Sequence, residues 1–539
     1  MTSTAATDLI FGLTRVVGLP ALTEKAGTPL AAEDIAQIIT EADRFCTEVL
    51  QPDALAADRA GATYANGVVK TPPTYPTAYA KWIEGGWQSL SAPEAHGGQG
   101  LPAALWTAMV ELGMAADTSF MLGPLLTAGA IECLVHYAKP DQAERWLPKM
   151  VSGEWTGAMC LTEPNAGSDL GVLRTRAEPL PNGKYALHGQ KIFITWGEHD
   201  CTDNIVYLVL ARLPGAPPGS RGISLFVATK LKEDGNRNDL RCGGIEHKLG
   251  IHGSPTCVML FEGAEAELVG EPHRGLHAMF AMMNNARLGV GTQGVAHGAA
   301  ALRLAETYAA ERIQGGGRPI AEHPDVQRML MEMRAITLAG RLMALETAAC
   351  VDRHAMLGDE HAQARLALLT PILKAWATDR GVETASTGVQ VHGGMGFIEE
   401  TGAARMLRDA RIAPIYEGTN GIQAIDLLVR KVAKDDGAEM RTLLAEVKRN
   451  PDARLRAAAE RLEAATTMVL DTQGRDADAA QSVAVAYLEA AGWLLGGWML
   501  ARAAAEDAAA YGEIAEFYLR RLLPRSGGRV AEIEGALAA

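Results

Sequence analysis

Three short segments carry residue types that could do chemistry. The most informative is RDARIAPIYEGTNGIQAIDLLVRKV, residues 408–432. Pro414 ends one helical stretch, Tyr416-Glu417-Gly418 makes a turn, and Thr419 or Asn420 is a good N-cap for the amphipathic helix that follows. Glu417 is either a solvated turn residue or a carboxylate held among Ile412, Ala413, Pro414, Ile415 and Tyr416. In the second case desolvation raises its pKa and suits it to general-base work. The segment MCLTEPNAGSDL, residues 159–170, follows a strand-like run with a turn carrying Thr162, Asn165, Gly167, Ser168 and Asp169. It reads as an ordinary loop or as an anion-cradling turn suited to a pyrophosphate. The segment QKIFITWGEHD, residues 190–200, sets Phe193, Thr195 and Trp196 at a strand end, either as plain strand closure on Gly197 or as a flat, hydroxyl-flanked face for a cofactor ring.

The elements that must position these residues change character along the chain. From Pro29 to about Met150 apolar residues recur at three and four, in AAEDIAQIITEADRFCTEVL, PTAYAKWIEGGW, LPAALWTAMVELGMAA and QAERWLPKMV, which predicts helices. The stretch SAPEAHGGQGLP breaks them. From Gly157 the runs AMCLTE, YALHGQKIFIT, NIVYLVLAR, GISLFVAT and TCVMLFEG predict a β domain inserted between helical regions. From about Gly275 long helices return and read as the rods of a bundle, and the chain from Lys431 onward is again helical. Two motifs are decoys. Gly289-Val290-Gly291-Thr292-Gln293-Gly294 fits GxGxxG but lies in a helical run with no strand before it. Gln314-Gly315-Gly316-Gly317-Arg318-Pro319 reads as a connection between helices, and His252 and His392 sit in glycine-containing turns without metal-ligand spacing, so no metal is expected.

Composition narrows the function classes. The 539 residues carry 50 Lys+Arg against 64 Asp+Glu, and a net charge of −14 disfavours a protein that holds polyanions. Hydrophobic residues make up 48%, enough for several cores, and with aromatics at only 5% those cores must be Ala, Leu, Val and Met. Seven widely spaced cysteines without a CxxC argue for a reducing compartment. The opening MTSTAATDLIFGLTRVVGLP has no basic leader and carries Asp8 within its apolar stretch, and no apolar run reaches the ~18 residues of a membrane span. A cytoplasmic protein is expected.

In order along residues 30 to 432 stand APEAHGGQGLP (92–102), CLTEPNAGSD (160–169), QKIFIT (190–195), KLGIHGSPT (248–256), AERIQG (310–315), VQVHGGMGF (389–397) and IYEGTNGIQ (415–423). Together they resemble the acyl-CoA dehydrogenase family. The resemblance implies a mostly α fold with a central β domain: a helical N-terminal domain (1–156), a β-barrel middle domain (157–272), a four-helix bundle carrying the catalytic base (273–432) and an additional helical C-terminal domain (433–539). It implies FAD, with Met159, Leu161 and Thr162 lining the flavin, Gly167 and Ser168 near the pyrophosphate, and Phe193 and Thr195 on the other side of the ring. Arg312, Gln390, Gly393 and Gly394 would hold the adenosine half of a neighbouring subunit's FAD, which implies a homodimer or dimer of dimers, and Thr419 joins the cofactor contacts. Ser168, Asn284, Arg287, Tyr416 and Gly418 would meet the substrate. The chain departs from the family at Gly315-Gly316-Gly317, where an aromatic residue is frequent, and at Gly421, where a flavin-contacting Gln is common.

By the same resemblance Glu417 takes the α-proton of an acyl-CoA while hydride passes from the β-carbon to flavin N5. The thioester carbonyl would be polarised by the Glu417 backbone N–H and a flavin ribityl hydroxyl. Some branches put the base just before the arginine that corresponds to Arg287, but that position is Ala286, which cannot take a proton. The stretches GGWQSLSAPEAHGGQGLP, TEPNAGSDLGVLRTRAEP, KIFITWGEHD, EHKLGIHGSPTCVM and MMNNARLGVG look like a long bacterial branch that includes enzymes acting on 3-methylmercaptopropionyl-CoA as well as general acyl-CoA dehydrogenases, so that thioether is the expected substrate, with a short or medium straight acyl chain as the other expectation. Electron-transferring flavoprotein is the expected acceptor. An acyl-CoA oxidase and a DNA-associated, non-catalytic flavoprotein of the same fold are the alternatives. Against the latter, Lys431 to Ala539 holds 14 Lys+Arg and 17 Asp+Glu, although Arg520, Arg521, Arg525 and Arg529 cluster.

Overall fold

The computed structural model describes residues 3–538; Met1 and Thr2 of the opening segment and Ala539 at the end of the last division lie outside them. The chain forms two compact units, one of residues 47–101 and 116–286, the other of residues 1–46, 102–115 and 287–539.

The first unit is built on strands. A hairpin of β1 (Thr63–Ala65) and β2 (Val68–Lys70) stands apart from a seven-stranded sheet made of β3 (Trp155–Cys160), β4 (Arg176–Pro179), β5 (Tyr185–Thr195), β6 (Asn204–Arg212), β7 (Ile223–Thr229), β8 (Leu240–Ile245) and β9 (Thr256–Val269). Strands β6, β4, β5, β9 and β7 follow one another, and β7 pairs back on β6, so the sheet closes into a barrel. β3 runs parallel to β6, and β8 pairs with β9. The pattern of β6 shows why: in NIVYLVLAR every residue but the last is buried. Ile205, Tyr207, Val209 and Ala211 enter one core, while Val206, Leu208 and Leu210 enter another shared with Leu126, Ile131, Leu134, Trp146 and Met150 of flanking helices. A strand with both faces covered reads as a continuous apolar run. The short β4 and β8 and the β1–β2 hairpin carry no such run, and nothing in the sequence pattern marks them.

The second unit is helical. Its long members are Gly275–Glu311 from Arg287 onward, Pro324–Leu357 and Glu360–His392, followed by Ala438–Lys448, Ala453–Arg475, Ala484–Glu506, Ala508–Arg521 and Pro524–Leu537. The GxGxxG stretch lies inside the first helix, where its glycines serve packing. A Cβ on Gly294 would stand 2.4 Å from the Ala377 carbonyl oxygen, and one on Gly381 would stand 2.5 Å from that of Gly294. Backbone cannot give way as a side chain can. Gly294→Ala is therefore expected to destabilise this unit by about 1–3 kcal/mol, measured by urea unfolding. Asp8, 2% exposed, pairs with Arg341 at 2.7 Å and with Arg334 at 2.9 Å, and Arg341 bonds Glu111 at 2.8 Å. The charge in the opening apolar stretch is thus the partner of two arginines.

Three expectations are corrected. Ala103–Tyr137 and Ala484–Glu506 are, by length and composition, long and apolar enough to cross a membrane, as is a bent pair, Thr4–Val16 with Leu19–Lys25, if taken as one span. In the two long helices 83% of the apolar window is buried by the rest of the fold. Scattered polar residues hide these windows from a search for unbroken apolar runs. The helix beginning at Ala103 continues to Tyr137, interrupted by non-helical backbone at Asp117, whose carboxylate accepts from the Phe120 N–H at 3.2 Å and so caps the resumed helix. The helix before the Glu417 turn ends at Ala410, and Pro414 lies within the turns that follow.

Candidate functional site

In the barrel unit the loop after β3 is locked to the end of β5. The Ile192 N–H donates to the Thr162 carbonyl at 2.9 Å, and the Lys191 ammonium donates to the Leu161 carbonyl and to Glu163 Oε1, both at 2.9 Å. Glu163 also accepts from the Thr175 hydroxyl at 2.6 Å and from the Arg174 and Thr175 N–H groups at 2.6 and 3.0 Å. Burial pushes this carboxyl up, but the lysine charge and these bonds outweigh it and hold it below the ordinary value. The sequence-selected residues Leu161, Thr162 and Phe193 are thereby brought together, with Met159 half-buried on β3 and Gly167 and Ser168 exposed on the loop.

Phe193 has an unusual backbone on this surface. Between Lys191 and Ile194, β5 has one residue more than β9 opposite, a bulge, and Phe193 there adopts φ 59°. Left-handed backbone on an aromatic residue is strained, and the ring it aims outward is 57% exposed. A costly conformation that presents an aromatic face beside the half-buried Thr195 and Thr162 fits a planar cofactor ring. Trp196 does not take part: it is wholly buried, its Nε1–H donating to the Ser119 carbonyl at 3.1 Å and its ring lying near-parallel to Tyr75 at 6.2 Å. Asn284, also of this unit, is exposed.

In the helical unit the turn carrying Glu417 is held from several sides. Glu417 and Gly418 take φ of 56° and 87°, two left-handed residues in succession. The Arg287 guanidinium donates to the Glu417 carbonyl at 3.3 Å and lies 3.5 Å from Asp426. The Gln423 amide donates to the same carbonyl at 3.2 Å, the Lys374 ammonium to the Gly418 carbonyl at 2.8 Å, and the Tyr416 hydroxyl to Gln293. Thr419, not Asn420, is the N-cap of the following Asn420–Ile425 helix. Among the described residues the Glu417 N–H has no acceptor. Burial raises the Glu417 carboxyl above its ordinary value, with the Arg287 and Lys374 charges pulling the other way, while the side chain keeps partial access to solvent. Burial likewise pushes the Tyr416 hydroxyl up and the Arg287 guanidinium down.

Tyr416, Glu417, Gly418, Thr419 and Arg287 thus form one cluster. Arg312, Gln390, Gly393 and Gly394 stand elsewhere, all exposed, beside the exposed Met395, Phe397 and Ile398 or, for Arg312, at the head of the 312–319 turn. Sequence reasoning missed Lys374, Gln293, Gln423 and Asp426. One signal was present: Lys374 is the lone charge in LALLTPILKAWAT, residues 366–378. A separate cavity of about 840 Å³, lined by Arg380, Trp493 and Arg525 among others, includes none of the cluster.

Models of the N-terminal, middle and C-terminal domains of acyl-CoA dehydrogenases match residues 32–154, 158–264 and 273–432, and an acetyl-CoA dehydrogenase C-terminal-like model matches 437–538. The chain is 46% identical over 517 residues to the 3-methylmercaptopropionyl-CoA dehydrogenase of Ruegeria pomeroyi, covering 90% of this chain and 88% of that one. The chain belongs to the acyl-CoA dehydrogenase family. This acyl-CoA dehydrogenase is also 30% identical to the broad-specificity linear acyl-CoA dehydrogenase FadE5 of Mycobacterium tuberculosis, over 95% of its own length and 92% of that protein's. Its fold is that of the acyl-CoA dehydrogenase of Bacillus anthracis solved with FAD, at a TM-score of 0.78 and 23% identity, covering 94% of this chain and 89% of that one. Its reaction class is FAD-dependent dehydrogenation of an acyl-CoA thioester. In its C-terminal helices Arg525 pairs with Glu332, Arg529 with Glu489 and Glu532, and Arg520 with Glu516. Three of the four clustered arginines are thus paired with carboxylates, while Arg521 lies over the Phe517 ring.

Proposed function

We propose that Glu417 is the catalytic base and that the substrate is 3-methylmercaptopropionyl-CoA. What carries the first half is the turn itself: a carboxyl raised by burial, next to an N–H without an acceptor among the described residues, on backbone clamped by Arg287, Gln423 and Lys374. Such a carboxylate can take a proton from the carbon α to a thioester, while the N–H stabilises charge developing on the thioester oxygen. Met159, Leu161, Thr162, Gly167, Ser168, Phe193 and Thr195 would hold the FAD of the same chain, and Thr419 would touch it from the base's turn. When bound, FAD supplies the two-electron acceptor for the β-carbon. Ser168, Asn284, Arg287, Tyr416 and Gly418 would line the path of the substrate.

The substrate assignment rests on the identity to the Ruegeria enzyme across nearly the whole of both chains. A straight-chain substrate is the second reading, favoured by the likeness to FadE5. The exposed Met395, Ile398 and Phe397, the last 86% exposed, lie beside Gln390, Gly393 and Gly394 and support a homodimer in which these residues meet the partner's cofactor. A cytoplasmic enzyme passing electrons to electron-transferring flavoprotein completes the reading. Anaerobic mixing with a panel of thioesters, following the oxidised flavin absorbance, tests it. 3-Methylmercaptopropionyl-CoA is expected to bleach the flavin fastest. Faster bleaching by butyryl- to octanoyl-CoA gives the substrate to the second reading, and no bleaching by any thioester removes the catalytic assignment.

A further inference from the structure

Beside the Glu417 turn stands a buried lysine. Lys374, wholly buried in the Glu360–His392 helix, spans from that helix to the turn, donating to the Gly418 carbonyl at 2.8 Å and to Asn420 Oδ1 at 3.0 Å. Asn420 returns to the same helix through its Nδ2, which donates to Asp379 Oδ1 at 2.8 Å, the Thr378 hydroxyl at 3.0 Å and the Ala375 carbonyl at 3.1 Å. Gly418 and Asn420 are therefore both tied to one stretch of helix, 374–379, and Glu417 immediately precedes them. Its left-handed backbone, which a side-chain-bearing residue avoids, needs surroundings that over-determine it. A neutral side chain would fill the volume without the cost of burying an ammonium.

We propose that Lys374 is a positioning residue for Glu417: its bonds to Gly418 and Asn420 hold the base's turn on the helix and set a positive charge beside it. The inference rests on the reading of Glu417 as base. The charged groups that face Lys374 are Glu417, Asp379 and Arg287, the last backed by Asp426. Burial pulls the ammonium down to about 7, Glu417 and Asp379 oppose this, and Arg287 adds to it. Its charge at neutral pH is thus conditional on those two carboxylates.

The test uses the FAD-loaded full chain and a 3-thia-acyl-CoA, whose β-position is sulfur and has no hydrogen to give up. Exchange of its α-hydrogens for solvent deuterium then reads proton abstraction without flavin reduction. Lys374→Met is expected to bind the thioester with wild-type affinity, to exchange about tenfold or more slowly, and to move the acid limb of exchange upward by about one pH unit, because a nearby positive charge is gone. Lys374→Gln, which restores a donor without charge, is expected to regain rate but keep the displaced limb. Wild-type rate and limb in Lys374→Met overturn the inference. If that variant fails to fold, Asn420→Ala carries the test: slowed exchange with an unmoved limb is expected, and wild-type exchange overturns it. Glu417→Gln run alongside separates the two readings. Exchange persisting there overturns the base assignment and this inference with it, whereas its loss there with an unaltered Lys374→Met overturns this inference alone.

Discussion

Glu417→Gln is expected to give a folded, yellow protein that binds acyl-CoA and reduces its flavin with it at least about 10³-fold more slowly than wild type. The substitution keeps the shape of the side chain and removes only its ability to take a proton. The clamp on the turn acts through main-chain oxygens, the Glu417 carbonyl bonded by Arg287 and Gln423 and the Gly418 carbonyl by Lys374, so the backbone stays where it is. No replacement base precedes Arg287, because position 286 is Ala and is buried. Stopped-flow reduction under nitrogen, with affinity for a non-reducible thioester measured in parallel, checks the expectation; turnover retained in the variant overturns the assignment. The pH dependence has a definite sign. Only the ionised carboxyl accepts a proton, and burial lifts its pKa above the ordinary 4.5. Wild-type flavin reduction should therefore fall as pH drops through a limb lying above that value, and the variant should show no such limb.

The parts of this molecule that were legible in its sequence are those whose signal is periodic or local. The closing strands of the barrel announce themselves because β6 alternates between two apolar cores, and the long helices because their apolar faces recur over tens of residues. The turn at Glu417 is legible through its own neighbours, Pro414, Gly418 and the capping Thr419. What brings Lys374 to Gly418 is a contact across 44 residues of chain, and no window of sequence contains it. Trp196 fails for a related reason. Its type and its place after a strand are those of a cofactor-facing residue, but Tyr75 and Phe120, distant in sequence, bury it. Phe193, three positions earlier, escapes the core only because one extra residue in β5 turns it outward.

Glu163→Gln is expected to destabilise the barrel unit by about 3–5 kcal/mol, the cost of leaving a buried charge without its partner. Lys191 is wholly buried, and once the carboxylate is gone its ammonium keeps only uncharged acceptors, the Leu161 carbonyl and the new amide oxygen. The new amide also presents a donor where the Lys191, Thr175 and Arg174 donors converge. Burial already holds the Lys191 pKa below the ordinary 10.5, against the pull of Glu163, and removing that pull lowers it further. Between the lowered folded value and 10.5 the unfolded chain binds more protons than the folded one, so stability rises with pH across that window. The deficit of Glu163→Gln should accordingly be greatest above the range in which wild-type Glu163 takes up its proton and below the lowered Lys191 value, and shrink as pH rises toward 10.5. Urea unfolding at several pH values checks this, and a deficit independent of pH would count against a charged Lys191 as its source. Adding Lys191→Met removes the orphaned charge and is expected to recover much of the loss, which a double-mutant cycle measures. The same pair pins the 161–175 segment to β5, so the single variant should also release FAD more readily in gel filtration, and the double variant, which lacks the pin, should not regain retention to the extent that it regains stability. That divergence separates the pair's two tasks: compensating its own burial, which an apolar substitute can do, and fixing the Leu161–Thr162 backbone beside Phe193, which it cannot.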